Sequence, residues 1–198
     1  MILATGARNR PLGLKNEREM IGHGVSYCAT CDGMFFRGRK VAVAGGGNTA
    51  LDDALFLAQY CEKVYLIHRR DTFRGEPEKL TLLETKENVE ILRSCTVTGM
   101  ETDENGNLES LHVWNKKQEK ELLVPAAGLF VAVGQMPENQ DFAEVASLDE
   151  QGYIKAGEDC KTATEGVFVA GDCRTKTVRQ LTTAAADGAV AALAACEY

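Results

Sequence analysis

The 198-residue chain has no apolar run near the ~18 residues that span a bilayer, no internal repeat and no low-complexity tract. The first absence excludes a helical membrane crossing, the second a solenoid, the third a disordered linker protein. Its start, "MILATGARNR", lacks the basic, apolar, small-residue order of a secretory signal, so the expected location is cytoplasmic. Basic residues are outnumbered, 22 Lys and Arg against 29 Asp and Glu, giving a net charge of −7. That balance disfavours nucleic acid and anionic membrane surfaces as partners and leaves small molecules and other proteins. What is present is an ordinary globular composition, 44% hydrophobic and 26% charged, enough for one large domain or two small ones.

Seven cysteines is an odd count, and their scatter along the chain does not read as a secreted disulfide framework. Cys61, Cys95, Cys160, Cys173 and Cys196 are expected to be buried thiols behaving as small hydrophobes. Cys28 and Cys31, in "YCATCDG", are the only pair spaced to act together. Zinc would need two further ligands, yet there is no second C-x-x-C and His23, His68 and His112 are scattered. The favoured reading is a redox pair, with two structural thiols as the alternative. Asp32 follows directly. It is either the general acid that protonates a departing thiolate or the cap of a turn before Gly33, and the residues alone leave both open.

The segment "KVAVAGGGNTALDDALFLAQYCEKVYLIHRR" predicts a strand through Val41 and Val43, a glycine turn, a helix with apolar positions from Ala50 to Ala58, and a second strand over 64–67. This is a βαβ unit within about 30 residues. Gly45, Gly47 and Ala50 make G-x-G-x-x-A at the strand-to-helix junction, the pattern in which glycines admit a pyrophosphate to the backbone and to the N–H groups opening the helix. Gly45, Gly46, Gly47, Asn48, Thr49 and Ala50 are therefore candidate cofactor-binding residues. At the end of the second strand, where NAD-binding units place an acid, stand His68, Arg69 and Arg70, with Arg74 one turn later. They form a candidate pocket for the 2′-phosphate of NADPH; a solvated basic turn is the alternative.

Beyond a second helix and a strand ending near Leu92, the segment "TVTGMETDENGNLESLHVWNKKQEKELLV" predicts an antiparallel meander on the edge of a parallel sheet. "GLFVAVG" reads as a buried strand, "GYIK" as a short extended run, "GVFVAGD" as a strongly apolar strand, and "RQLTTAAADGAVAALAACEY" as a C-terminal helix.

Seven stretches in order, "ILATGA", "CATCDG", "VAVAGGGNTALDDALFLA", "HRRDTFR", "GLFVAVG", "GVFVAGD" and "RQLTTAAADGAVAA", resemble the low-molecular-weight NADPH-dependent thioredoxin reductases over nearly the whole chain. The resemblance implies an α/β, Rossmann-like three-layer FAD/NAD(P)-binding fold, with an NADPH domain at 10–134 inserted into an FAD domain at 1–9 and 135–198. It implies a homodimer that passes electrons from NADPH through FAD to a Cys28–Cys31 disulfide and on to thioredoxin. Cys31 then faces the flavin, Cys28 attacks the substrate and Asp32 handles the proton. Asp172, Arg179, Gln180 and the backbone of Leu181 are the residues carried over as flavin-binding, the last three at a helix N-terminus that favours the charge of a reduced flavin. The segments near Arg8 to Arg10 and Gly134 to Met136 are implied hinges. Three departures stand out: "LDDA" in the first helix, Gln135 after the strand, and no G-x-G-x-x-G before Gly45 to hold the FAD pyrophosphate. The last leads to the expectation that the family's N-terminal FAD-binding segment is lacking and that this polypeptide alone binds FAD poorly. The resemblance leaves as rivals a flavin-dependent disulfide reductase with another thiol partner and a non-catalytic NADPH-binding remnant.

Overall fold

The structure, a computed structural model, describes residues 1–198. The chain divides into a discontinuous unit, residues 1–10 with 135–198, and an inserted unit, residues 11–134. The discontinuous unit opens with β1 (Ile2–Leu3) and β2 (Ala7–Asn9).

The inserted unit runs in chain order through β3 (Val25–Ser26), the single turn α1 (Ala29–Asp32), β4 (Lys40–Gly45), α2 (Asn48–Leu57), β5 (Lys63–His68), α3 (Pro77–Glu84) and β6 (Val89–Arg93). An antiparallel meander of β7 (Cys95–Thr102), β8 (Leu108–Asn115) and β9 (Lys120–Pro125) follows, then β10 (Gly128–Ala132). Five of these strands form one parallel sheet in the order β3-β10-β4-β5-β6. Strand β4 is central, and its continuous apolar sequence is what burial on both faces requires. One face, Val41, Val43, Val64 and Leu66, packs on Ala50, Leu51, Ala54 and Leu57 of α2, whose spacing puts them on a single helical stripe.

The meander does not extend the sheet edge as the sequence predicts; it forms a separate three-stranded sheet laid across the other face. The physical reason is that both helices cover one side only. Ala42, Ala44, Ile67, Leu129 and Val131 on the opposite side would stay wet without Val97, Leu111, Val113 and Val124 from the meander. Each such side chain contributes roughly 1.5–3 kcal/mol by leaving water. The unit is thus three layers, helices, parallel sheet and antiparallel sheet.

In the discontinuous unit β11 (Gln135–Pro137) pairs antiparallel with β2, and Gln135 Nε2 donates to Asn9 Oδ1 at 3.1 Å, which gives that residue a structural place. Strand β12 (Phe168–Val169) lies parallel to β1. The apolar run "GVFVAGD" yields only those two ladder residues before a 3₁₀ turn at Gly171–Cys173, and "GYIK" yields only bridges from Ile154 to Leu148 and Arg174. Helix α4 (Leu181–Cys196) packs Ala191 and Ala194 against Phe168, Ala170 and Cys160. No helix is long and apolar enough to cross a membrane.

Candidate functional site

Cys28 and Cys31 are joined by a disulfide with Cα atoms 5.3 Å apart. Cys28 is the N-cap of α1: its extended backbone lets Sγ accept the Cys31 N–H at 3.2 Å, with Thr30 Oγ1 3.4 Å from the same sulfur. Donors aimed at one sulfur favour its thiolate over the thiol. Cys31 is exposed and Cys28 half-buried. The preceding strand is held by Tyr27, whose hydroxyl donates to Glu17 Oε1 at 2.6 Å, while the same carboxylate accepts the backbone N–H groups of Leu12, Gly13 and Leu14. Asp32 is half-buried and makes no capping bond; its Oδ2 accepts the Ser26 hydroxyl at 2.7 Å, and Ser26 Oγ in turn accepts the Cys28 N–H at 3.0 Å. The carboxylate is therefore tied through one serine to the backbone of the first cysteine. The turn-capping alternative for Asp32 does not occur.

Of the five other thiols, Cys61, Cys95, Cys160 and Cys173 are buried, and burial pushes Cys61 up to about 11. Cys196 is exposed, contrary to the sequence expectation, because it falls on the outward side of α4 beside Leu193, itself 68% exposed.

The glycine turn has the form a phosphate cradle requires. A Cβ on Gly45 would strike the Ala132 carbonyl and come within 2.6 Å of Ala50 Cβ, so the first glycine lets strand and helix pack and Ala50 is small for the same reason. Gly47 faces open space and caps α2 with no side-chain bond, leaving the Asn48, Thr49 and Ala50 N–H groups at the mouth of the turn. The Asn48 side chain is used elsewhere. Its Oδ1 accepts the Glu76 N–H at 2.7 Å and its Nδ2 donates to Glu76 Oε1 at 2.9 Å, which bolts the 74–76 loop to the helix start. On α2, Asp52 pairs with Lys79 at 2.8 Å, while burial, with Asp52 adding, pushes Asp53 up to about 7.

Arg69, Arg70 and Arg74 are exposed and form no salt bridge, a free trio of guanidinium groups. His68 is placed differently. It is 5% exposed, its ring lies directly beneath Gly46 where a Cβ would collide with it, and Nε2 donates to the Thr72 carbonyl at 3.1 Å. Burial, opposed by the Thr72 bond and reinforced by the three neighbouring arginines, lowers its pKa from the ordinary histidine value.

In the discontinuous unit, Asp172 carries a buried Oδ1 with no hydrogen-bond partner, an anomaly in a folded protein. Arg179 lies over the Tyr153 ring at 4.1 Å, its Nε and Nη2 donating to the Asp172 and Arg174 carbonyls at 3.4 Å. Gln180 caps α4 reciprocally with Thr183, and Leu181 is 87% exposed. Sequence reasoning missed the network beneath them. Arg174, 1% exposed, grips Asp187 through Nε at 2.8 Å and Nη2 at 2.9 Å, and Lys176 Nζ and the Gly171 N–H join the same carboxylate. The available signal was that Asp187 is the only ionisable carboxylate in a 16-residue helix of small and apolar residues.

A family model described as pyridine nucleotide-disulphide oxidoreductase matches residues 1–188. The chain is 42% identical to a thioredoxin reductase of Helicobacter pylori over 100% of its own length and 65% of that protein's. It is 43% identical to one of Coxiella burnetii, again over its full length and 64% of the relative. A crystal structure of thioredoxin reductase from Streptococcus pyogenes superposes with a TM-score of 0.91 at 33% identity, covering 100% of this chain and 64% of that one. The chain thus spans just under two thirds of the length of these relatives. A glycine turn between strand and helix, a disulfide on a helical turn and a match over residues 1–188 agree: the chain belongs to the pyridine nucleotide-disulphide oxidoreductase family.

Proposed function

We propose that this chain is the dithiol-bearing part of a thioredoxin-disulfide reductase, acting as a cytoplasmic homodimer that takes electrons from NADPH. Residues 10–134 are the NADPH domain, and 1–9 with 135–198 are part of an FAD domain. The observation that carries the reading is the occurrence, in one compact unit, of a disulfide at a helix N-cap and an uncapped glycine turn beside three unpaired arginines. The NADPH residues fit the cofactor: the open side of Gly47 and the N–H groups of 48–50 suit a pyrophosphate, and Arg69, Arg70 and Arg74 a 2′-phosphate. For FAD, the unpartnered Asp172 Oδ1 and the N-terminus of α4 are the groups present to hold it. Bound flavin supplies the relay that accepts a hydride and delivers two electrons to the disulfide.

The chain's own residues do the exchange. Reduced Cys28, its thiolate favoured by the Cys31 N–H and Thr30, attacks one sulfur of the substrate disulfide. The substrate's other sulfur leaves and is protonated from Asp32. Cys31 then attacks Cys28 Sγ, closing the protein disulfide and releasing the second substrate thiol. Phe35, 79% exposed three residues past Asp32, gives an apolar contact suited to a protein substrate rather than a small disulfide. This favours thioredoxin over a small-molecule rival.

Replacing Arg69 and Arg70 together by Gln is expected to lower NADPH affinity tenfold or more and leave NADH affinity unchanged, since each charge-assisted bond contributes about 1.5–3 kcal/mol. Fluorescence titration with both nucleotides measures this. An unchanged NADPH to NADH ratio removes the 2′-phosphate assignment.

A further inference from the structure

The 2′-phosphate arginines and the pyrophosphate turn lie on different segments, tied at residue 76 by Asn48 and at residues 72 to 75 by the contacts around His68 and Gly46. Gly46 sits in the turn. Its carbonyl accepts the N–H groups of Arg74 at 2.7 Å and Gly75 at 3.2 Å, so the arginine loop is hung from the turn by its backbone. The His68 ring fills the space under Gly46, lies tilted against Phe73 with ring centroids 4.7 Å apart, and donates to the Thr72 carbonyl. Residues 72, 73, 74 and 75 are therefore fixed to Gly46 through one imidazole and one carbonyl oxygen. The ring's Nε2 points into this knot, and only 5% of the residue is exposed.

We infer that His68 is a positioning residue for dinucleotide selection, acting through Gly46 and Thr72 to hold Arg74 at a set distance from the phosphate turn, and not a contact for the 2′-phosphate. This deepens the NADPH reading and rests on it. A ring beneath Gly46 supports the turn for any dinucleotide, whereas the Nε2–H bond to Thr72 orders only the loop that carries the arginine. The two roles separate by substitution.

The test is nucleotide binding by the full 198-residue chain, titrated with NADPH and with NADH. His68→Phe keeps a ring under Gly46 and removes the donor; it is expected to lose about fivefold in NADPH affinity, the effect of one hydrogen bond, with NADH affinity held. His68→Gln, which retains an N–H donor, is expected to recover most of that loss. In His68→Phe the Arg74 and Gly75 amides should also exchange with deuterium faster than in wild type. An unchanged NADPH to NADH ratio in His68→Phe overturns the inference. An equal loss for both nucleotides overturns it too, because it reduces His68 to support of the turn. If His68→Phe does not fold, His68→Leu is read by the same criteria. Should wild type itself show no preference for NADPH, the 2′-phosphate reading fails, and the outcome is distinct from failure of the tether.

Discussion

Pre-reduced with dithiothreitol and freed of it, the wild-type chain is expected to convert one equivalent of oxidised thioredoxin to dithiol in a single turnover. Cys28→Ser is expected to transfer nothing, and Cys31→Ser to stop at a covalent mixed disulfide. The experiment needs no flavin, so it isolates the exchange chemistry of the chain itself. Its asymmetry follows from the site. Cys28 Sγ accepts the Cys31 N–H at 3.2 Å and lies 3.4 Å from the Thr30 hydroxyl, donors that suit a thiolate there. Without Cys31 nothing can displace the substrate from Cys28, and the intermediate accumulates. Mass spectrometry after alkylation distinguishes the outcomes. A mixed disulfide trapped in Cys28→Ser instead would reverse the roles and make the exposed Cys31 the nucleophile. Normal turnover in Cys28→Ser would remove the mechanism altogether.

The parts of this molecule that could be read from sequence are those whose signal is local. The run "KVAVAGGGNTALDDALFLA" states its own strand, turn and helix, because burial on both faces, small residues and a 3.6-residue stripe are all written within 19 positions, and β4 and α2 follow it closely. What could not be read depends on a segment folding back. His68 and Asn48 look like ligands in the linear pattern, and both turn out to anchor the 72–76 loop, with only the Asn48 backbone left facing the turn. The meander alternates correctly, yet alternation does not say which surface the apolar face will meet; that was decided by both helices occupying one side of the sheet. In the discontinuous unit the apolar run at 166–172 overstated its strand, since a two-residue ladder with β1 and a single bridge from Phe168 to Lys161 are the pairing it has before the Gly171 turn.

Asp187 is the residue whose loss is expected to damage the discontinuous unit most. Asp187→Asn should destabilise it by about 3 kcal/mol, the low end for breaking a buried ion pair, because Arg174 Nη2 keeps a 3.1 Å contact to the exposed Glu158. The magnitude follows from what remains: Arg174 at 1% exposure loses the carboxylate that holds two of its nitrogens, and Lys176, 5% exposed at its side chain, loses the same counter-charge. Urea denaturation followed by circular dichroism measures the change, and a loss under about 1 kcal/mol would show that water or rearrangement meets these charges instead. Replacing all three charges with apolar residues, Arg174→Met and Lys176→Met with Asp187→Leu, is expected to cost less than Asp187→Asn alone, since buried ion pairs add little over well-packed hydrophobes while broken ones are costly. Acid gives an independent check. Hydrogen bonding from Arg174, then from Lys176 and the Gly171 N–H, outweighs burial and holds Asp187 well below the usual carboxylate range. A depressed pKa contributes stability fully present above the unfolded value of ~3.9 and lost as pH falls from there through the folded value. Wild type should therefore lose stability steeply below about pH 4, and Asp187→Asn should show a flatter acid limb. The same carboxylate receives the Gly171 N–H, so the turn that carries Asp172 is fixed by the group that anchors α4. Loosening Asp187 would then release both flavin-facing elements of the proposed site together.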